Sequence, residues 1–209
     1  YKYRKKITIK DSMTPSGCTG DLSNFPVLID LSGDWLKTEA NGGNISHPYG
    51  YDIIFKAQDG ETKLDHEIEK YDGSATAGKL VAWVRIPTLL YNANTVIYMY
   101  YGNSTITSSQ ANPTGVWNTS YGWRGVWHLR EDPSGASPQI KDSTSNSYHL
   151  TSEGSMVSGN QVPGPIDGSL NFDGTDDRLN RGNATDLNMG TSNFSIEAWV
   201  KLDASINLN

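Results

Sequence analysis

Between Lys79 and Asn103 the chain alternates with period two. Leu80, Ala82, Val84 and Ile86 fall on one side and Val81, Trp83 and Arg85 on the other. Pro87 to Asn94 then turn the chain, and Val96, Tyr98 and Tyr100 alternate with Ile97, Met99 and Tyr101. Runs this rich in β-branched and aromatic residues predict strands. Both faces of both runs are largely apolar, so the pair is expected to lie centrally with another layer covering it. Gly102 and Asn103 stop the second run with residues that tolerate positive φ.

Upstream, Tyr1, Tyr3, Ile7 and Ile9 alternate with Lys2, Arg4, Lys6, Thr8 and Lys10, giving a strand with one apolar and one nearly all-cationic face. Lys5 breaks the apolar side, which places this strand at a sheet margin. Such a cationic row either binds an acidic polymer or is a solvated face that guards against edge-to-edge pairing. Phe25, Val27, Ile29 and Leu31 form the next strand, with Pro26 near its start, where a missing donor is tolerated. Ser32 to Gly50 reads as a long surface loop carrying Trp35 and His47-Pro48, a place to look for a ligand lip. Tyr51, Ile53 and Phe55 share one face of a third strand, and Gln58 to Glu61 make an Asp-Gly hairpin turn.

After that turn Leu64, His66 and Ile68 alternate with Asp65, Glu67, Glu69 and Tyr71, so three carboxylates share a face at intervals of about 7 Å. Three roles are open to them. They form a wetted face paired with basic neighbours such as Lys2, Arg4 and Lys6, or hold a hard cation, or supply the two carboxyl groups of a glycosidase. Asp65-His-Glu67-Ile-Glu69 superficially resembles the E-x-D-x-E strand of laminarinase-type hydrolases with the identities permuted, and no catalytic residue is assigned. His66 falls on the apolar side and is expected as a buried, hydrogen-bonded imidazole rather than a ligand. Trp83 is core if its face is covered, and a sugar-stacking platform with Tyr71 or Tyr101 if it is open.

Ser104 to Ser120 is polar, with Pro113 and Gly115, and sets a boundary between units 1–119 and 120–209. In the second unit Tyr121 to Leu129, Tyr148 to Leu150, Gly168 to Phe172, Asp177 to Leu179 and Phe194 to Leu202 are short strand candidates. Two acidic turns there have the composition of calcium loops, Asp142 to Asn146 and Asp173, Asp176 and Asp177, although neither fits the twelve-residue EF-hand pattern. The alternative is that these residues simply make turns. The chain stops at Asn209 directly after a strong strand. A partial jelly roll would leave unpaired edges, so the expectation is a fragment of a longer polypeptide, or a sheet completed by another chain.

The blocks YRKKITI at 3–9, FPVLIDL at 25–31, YDIIF at 51–55, LDHEIEKYD at 64–72, LVAWVRIP at 80–87 and IYMYYGN at 97–103 resemble the DUF2341 family, a domain of unknown function found in secreted proteins. GVWHL at 125–129, KDSTSN at 141–146, DGSLNFDG at 167–174 and FSIEAWVKL at 194–202 resemble the opening of a concanavalin-like, laminin-G-type jelly roll. The resemblance implies an all-β architecture, an antiparallel β-sandwich followed by a partial jelly roll, and an extracellular setting. Laminin-G-like modules commonly carry calcium, which supports the calcium reading of both acidic turns.

Composition narrows the chemistry. Seventeen basic and 23 acidic residues give a net charge of -6, which argues against a nucleic-acid partner. Cys18 is the only cysteine, so no intrachain disulfide or thiolate metal cluster is possible. No apolar run reaches membrane-spanning length, and no nucleophile elbow, zinc motif or nucleotide-binding loop occurs. The expected function is a secreted, non-catalytic module recognising a polysaccharide or cell-surface glycan, with Trp35, Asp65, Glu67, Glu69, Tyr71 and Trp83 as candidate ligand-binding residues. The alternatives are a structural subunit of an extracellular filament or surface layer, self-associating through unpaired strands, and part of a glycoside hydrolase.

Overall fold

A computed structural model describes residues 1–202 apart from 15, 16, 75, 77, 183 and 184. The chain is all-β and its strands pair antiparallel. The first seven strands are β1 (Tyr3–Ile9), β2 (Leu22–Ser32), β3 (Ile54–Ala57), β4 (Lys63–Leu64), β5 (His66–Asp72), β6 (Lys79–Leu89) and β7 (Thr95–Tyr101). One sheet runs in the order β1-β7-β3-β4 and a second in the order β2-β6-β5. The two long alternating runs are therefore both inner strands, but of different sheets, and residues 90–94 carry the chain from one to the other.

That division follows from which face each run offers. Leu80, Ala82, Val84 and Ile86 of β6 join Ile97, Met99 and Tyr101 of β7, together with Ile29, Phe55 and Leu64, in a single buried apolar cluster. Each such side chain removed from water contributes about 1.5–3 kcal/mol. The opposite face of β6 is covered by the chain after residue 112, whereas on β7 Tyr98 and Tyr100 stay half-exposed. β1 pairs with β7 alone and is a sheet margin, as Lys5 predicts. The Lys5 ammonium is accommodated 4.4 Å above the Trp35 ring, a contact that keeps the charge out of the core.

The hairpin turn at 58–61 forms as expected, with Gly60 at φ 75° and Asp59 accepting from the Glu61 and Thr62 amides. The continuous alternation from Leu64 to Tyr71 does not survive. The chain leaves the first sheet after Leu64 and enters the second at His66. A bulge between Ile68 and Lys70 then shifts the register against β6, adding a residue on one strand. Tyr71 is thereby turned off the face of the acids and packs against the core.

Beyond β7 a short helix, α1 (Pro113–Val116), is capped by Asn112, and two small ladders follow: β8 (Thr151–Glu153) with β11 (Arg178–Asn180), and β9 (Gln161–Pro163) with β10 (Gly168–Leu170). Ile140, Met156 and Leu170 form a second buried cluster with Trp127, Leu129, Leu150 and Leu179 around it. Three expected strands are corrected. Tyr121 to Leu129 makes only a bridge between Trp127 and Asp142, and Tyr148 to Leu150 only a bridge between Leu150 and Ile140. Phe194 to Leu202 has no ladder partner among the described residues, and Trp199 is 88% exposed. A strand exists only where a neighbour takes its backbone groups over several residues, and no ladder among the described residues does so for these segments. Residues 203–209, the end of the expected second unit, lie outside the described residues.

The facing of β7 makes a direct prediction. Met99→Ala should lower unfolding stability by about 2–5 kcal/mol, and Val96→Ala, on the outer face, by less than about 1 kcal/mol. Equal losses in urea denaturation would show that β7 is not oriented this way.

Candidate functional site

Glu67 and Glu69 of β5 lie on the outer face of the second sheet and are buried, not wetted; Asp65, just before β5, is partly exposed. Asp65 sits where the chain changes sheets. Its carboxylate takes Arg85 Nη2 at 2.5 Å and Asn112 Nδ2 at 2.8 Å. Burial raises the Asp65 pKa, but the Arg85 and Asn112 hydrogen bonds outweigh it and hold the pKa below the ordinary aspartate value. Arg85 continues to the Gly115 carbonyl and the Asn24 side chain. Gly115 is dictated by this packing: a Cβ there would come within 2.4 Å of Asn112 Nδ2 and 2.5 Å of the Asp65 carboxyl carbon.

Glu67 and Glu69 are buried at 6% and 2% exposure. Glu67 Oε2 accepts from the Trp117 indole at 2.6 Å and lies 3.1 Å from His128 Nε2, while Oε1 accepts from the Ser143 hydroxyl at 2.8 Å. His128 Nδ1 is 3.0 Å from Glu69 Oε2. The imidazole therefore stands between two carboxylates, hydrogen-bonded to Glu67 and close to Glu69, whose Oε2 has no hydrogen-bond partner among the described residues. Arg130 donates to the Glu69 carbonyl and lies 4.0 Å from its carboxylate. Lys70 and Asp167 pair at 2.9 Å beside it.

Aromatic rings cover the cluster. Trp117 meets Trp83 edge-on at 5.2 Å and Trp123 at 4.9 Å, and His128 lies 5.8 Å from Trp117. Trp83 is therefore covered, and its indole N–H is buried without an acceptor among the described residues. His66, on the other face of β5, is fully buried against Phe55, and burial lowers its pKa to about 4. It is a core imidazole, as its apolar-face position predicts, but neither ring nitrogen has the expected hydrogen bond among the described residues.

Burial alone would lower the His128 pKa, but the Glu67 hydrogen bond and the charges of both glutamates raise it above the ordinary histidine value. Burial raises the Glu67 pKa, and His128, Ser143 and Trp117 more than reverse this. For Glu69 burial prevails over His128 and Arg130, with the Glu67 and Asp167 charges adding to it, and its pKa is raised. The arrangement is an internal cluster of one imidazole and two carboxylates. A retaining glycosidase needs a sugar between two carboxyl groups about 5 to 5.5 Å apart; here a histidine ring occupies that position. The basic partners also differ from those expected. Lys2, Arg4 and Lys6 lie in or before β1 of the other sheet, and the acids pair instead with Arg85, His128 and Arg130.

The remaining candidates do not converge on this place. Trp35 and Tyr71 pack against the central core, with the Tyr71 hydroxyl donating to the Leu36 carbonyl at 2.8 Å. Asp142 is 7% exposed, and its two oxygens accept from the Val126, Thr144 and Tyr148 amides and the Thr144 hydroxyl. Those oxygens face donors, as in a turn; Asn146 donates its amide to the Arg124 carbonyl. Asp173, Asp176 and Asp177 bring carboxylate oxygens within 4.8 Å of one another. Even there, Asp173 Oδ1 accepts from the amides of Thr175, Asp176 and Asp177.

A feature the sequence pattern does not single out is Asp52. It is fully buried, and its carboxylate accepts from the amides of Ser46, His47, Gly102 and Asn103 at 2.9–3.2 Å. One carboxylate thus ties the end of the long loop to the end of β7. The loop's rim carries His47 stacked on Tyr51 at 4.2 Å, with Tyr49 at 5.7 Å from each and 68% exposed. Gly50 lets this rim close over the core: its φ is +69°, and a Cβ would lie 2.9 Å from the Tyr71 ring. A single Asp inside an otherwise apolar YDIIF run is the signal that points to Asp52.

Residues 49–121 match the family model described as "Domain of unknown function (DUF2341)". No curated protein and no solved structure matches the chain. The matched stretch contains Tyr49, Asp52, the acids of β5 and Trp117, and ends before His128. No helix among the described residues is long and apolar enough to cross a membrane.

The charge cluster fixes a pH dependence. With a raised folded pKa, His128 stabilises fully below its unfolded value, near 6.5, and the contribution is lost as pH rises through the folded value. The raised Glu69 acts in the same sense in the carboxylate range; the lowered Glu67 acts oppositely, losing its contribution as pH falls. The thermal midpoint should therefore drop on the alkaline side of about pH 6.5, and His128→Gln should remove that slope. An unchanged slope in the variant would place the titrating group elsewhere.

Proposed function

We propose that this chain is a non-catalytic recognition module of a secreted protein, a DUF2341-like two-layer β-sandwich joined to the opening of a laminin-G-like jelly roll, and that its ligand is a carbohydrate or cell-surface glycan. The observation that carries this reading is the division between inside and outside. The carboxylates able to do acid–base chemistry are buried and paired within the protein, while His47, Tyr49 and Tyr51 form an open aromatic rim. Sugar sites commonly combine ring faces with a few polar groups, and this rim offers both. Calcium, in this reading, would act at Asp173, Asp176 and Asp177, the acidic turn with clustered carboxylates.

A second reading, a subunit of a filament or surface layer, is favoured by one observation. Phe194, Ile196, Trp199 and Val200 are exposed in a segment without a ladder partner among the described residues. An apolar segment of that kind pairs readily with another sheet edge.

A glycan array with calcium and with chelator, paired with electron microscopy of the same sample, separates the two. Recognition predicts a monomer that binds a glycan, and Tyr49→Ala should weaken that binding about tenfold, near 1.4 kcal/mol, with no change in unfolding midpoint. Polymers that form without glycan, from protein that binds none, would contradict the recognition reading.

A further inference from the structure

On the outer face of the β1-β7-β3-β4 sheet the register places Arg4 opposite Tyr100, and Lys6, Tyr98, Lys56 and Lys63 in one row across four strands. Arg4 and Lys6 come from one margin, Lys63 from the other, and Lys56 from an inner strand. The two tyrosines of the inner strand β7 lie between them. The Arg4 guanidinium stands 4.6 Å from the Tyr98 ring centre and the Lys56 ammonium 5.1 Å from that of Tyr100. Tyr1 meets Tyr100 edge-on at 6.4 Å.

No acidic residue lies in the strand positions of this face, and among the described residues none of Arg4, Lys6, Lys56 and Lys63 has a carboxylate within ion-pair distance. Asp59, at the β3–β4 turn, feels the Lys56 charge but has its oxygens on the Glu61 and Thr62 amides and the Thr62 hydroxyl. Lys2, just before β1, pairs with Glu39 at 3.5 Å. In a chain of net charge -6, an acid-free face is a marked local reversal of charge.

Guarding an edge against another strand explains lysines on β1 and β4. It does not explain Lys56 on an inner strand, or two half-exposed tyrosines at the centre. We propose that this face binds an acidic polysaccharide, one bearing carboxylate or sulfate groups at intervals along the chain. Its cations are sparse: Arg4 and Lys6 are about 7 Å apart along the strand, and Lys6 and Lys56 about 10 Å apart across it. Duplex nucleic acid carries one charge per about 1.7 Å, and a lattice this open neutralises little of it. A polymer with one charge every sugar or two matches the spacing, and the tyrosines supply flat apolar rings with hydroxyls between the charges. The aromatic rim is not part of this surface.

The test is isothermal titration of the intact protein with polygalacturonate, with neutral dextran and with DNA. Polygalacturonate should bind and weaken as salt is raised, and dextran should not bind. The doubly substituted Lys6→Glu, Lys56→Glu protein should lose at least about tenfold in affinity, Lys6→Gln, Lys56→Gln less, and Tyr49→Ala nothing. Equal affinity in the wild-type and charge-reversed proteins, or tighter binding to DNA, would overturn the proposal. Loss of binding in Tyr49→Ala with retention in the lysine variants would move the site to the aromatic rim and overturn it as well.

Discussion

A carboxylate taken out of water must find a partner, and in this protein that rule governs what β5 is for. Glu67 and Glu69 are fastened to Trp117, His128, Ser143 and Arg130, all of them outside the two main sheets. The outer face of β5 and β6 is thus the seat on which the following chain is docked. Removing one partner would leave the others buried and uncompensated, which is costlier than replacing the whole set with apolar groups. The pairing consequently favours a specific docked arrangement over many similar ones.

The same economy appears at Asp52, where one buried carboxylate holds four amides from two distant segments. All three of these buried carboxylates work as internal ties. The outward-facing chemistry is of another kind: stacked rings at 47–51, and cations resting over tyrosines on the first sheet. Both surfaces present ring faces and polar groups to solvent, where the buried carboxylates present none.

Much of this was legible in the residues. Period-two alternation located β1, β2, β6 and β7, and Lys5 foretold a margin strand, because each signal depends on a few neighbouring positions. Long-range partners were not legible. Alternation from Leu64 to Tyr71 reads the same whether or not the chain changes sheets at Asp65 and bulges at Glu69, so the pattern alone puts Tyr71 on the face of the acids, whereas the bulge turns it to the core. His128 and Trp117 carry no local mark of their role; only the fold brings them 61 and 50 residues back to Glu67. Phe194 to Leu202 shows the converse, a pattern suited to a strand in a segment with no ladder partner among the described residues.

The central claim is that Glu67 and His128 act on each other and not on a substrate. A double-mutant cycle with Glu67→Gln and His128→Gln, read by urea unfolding, measures that directly. Mutual pairing predicts a coupling energy of about 1–3 kcal/mol. Additive effects would show that the two side chains are independent, and the acid row would again be free to serve an external ligand.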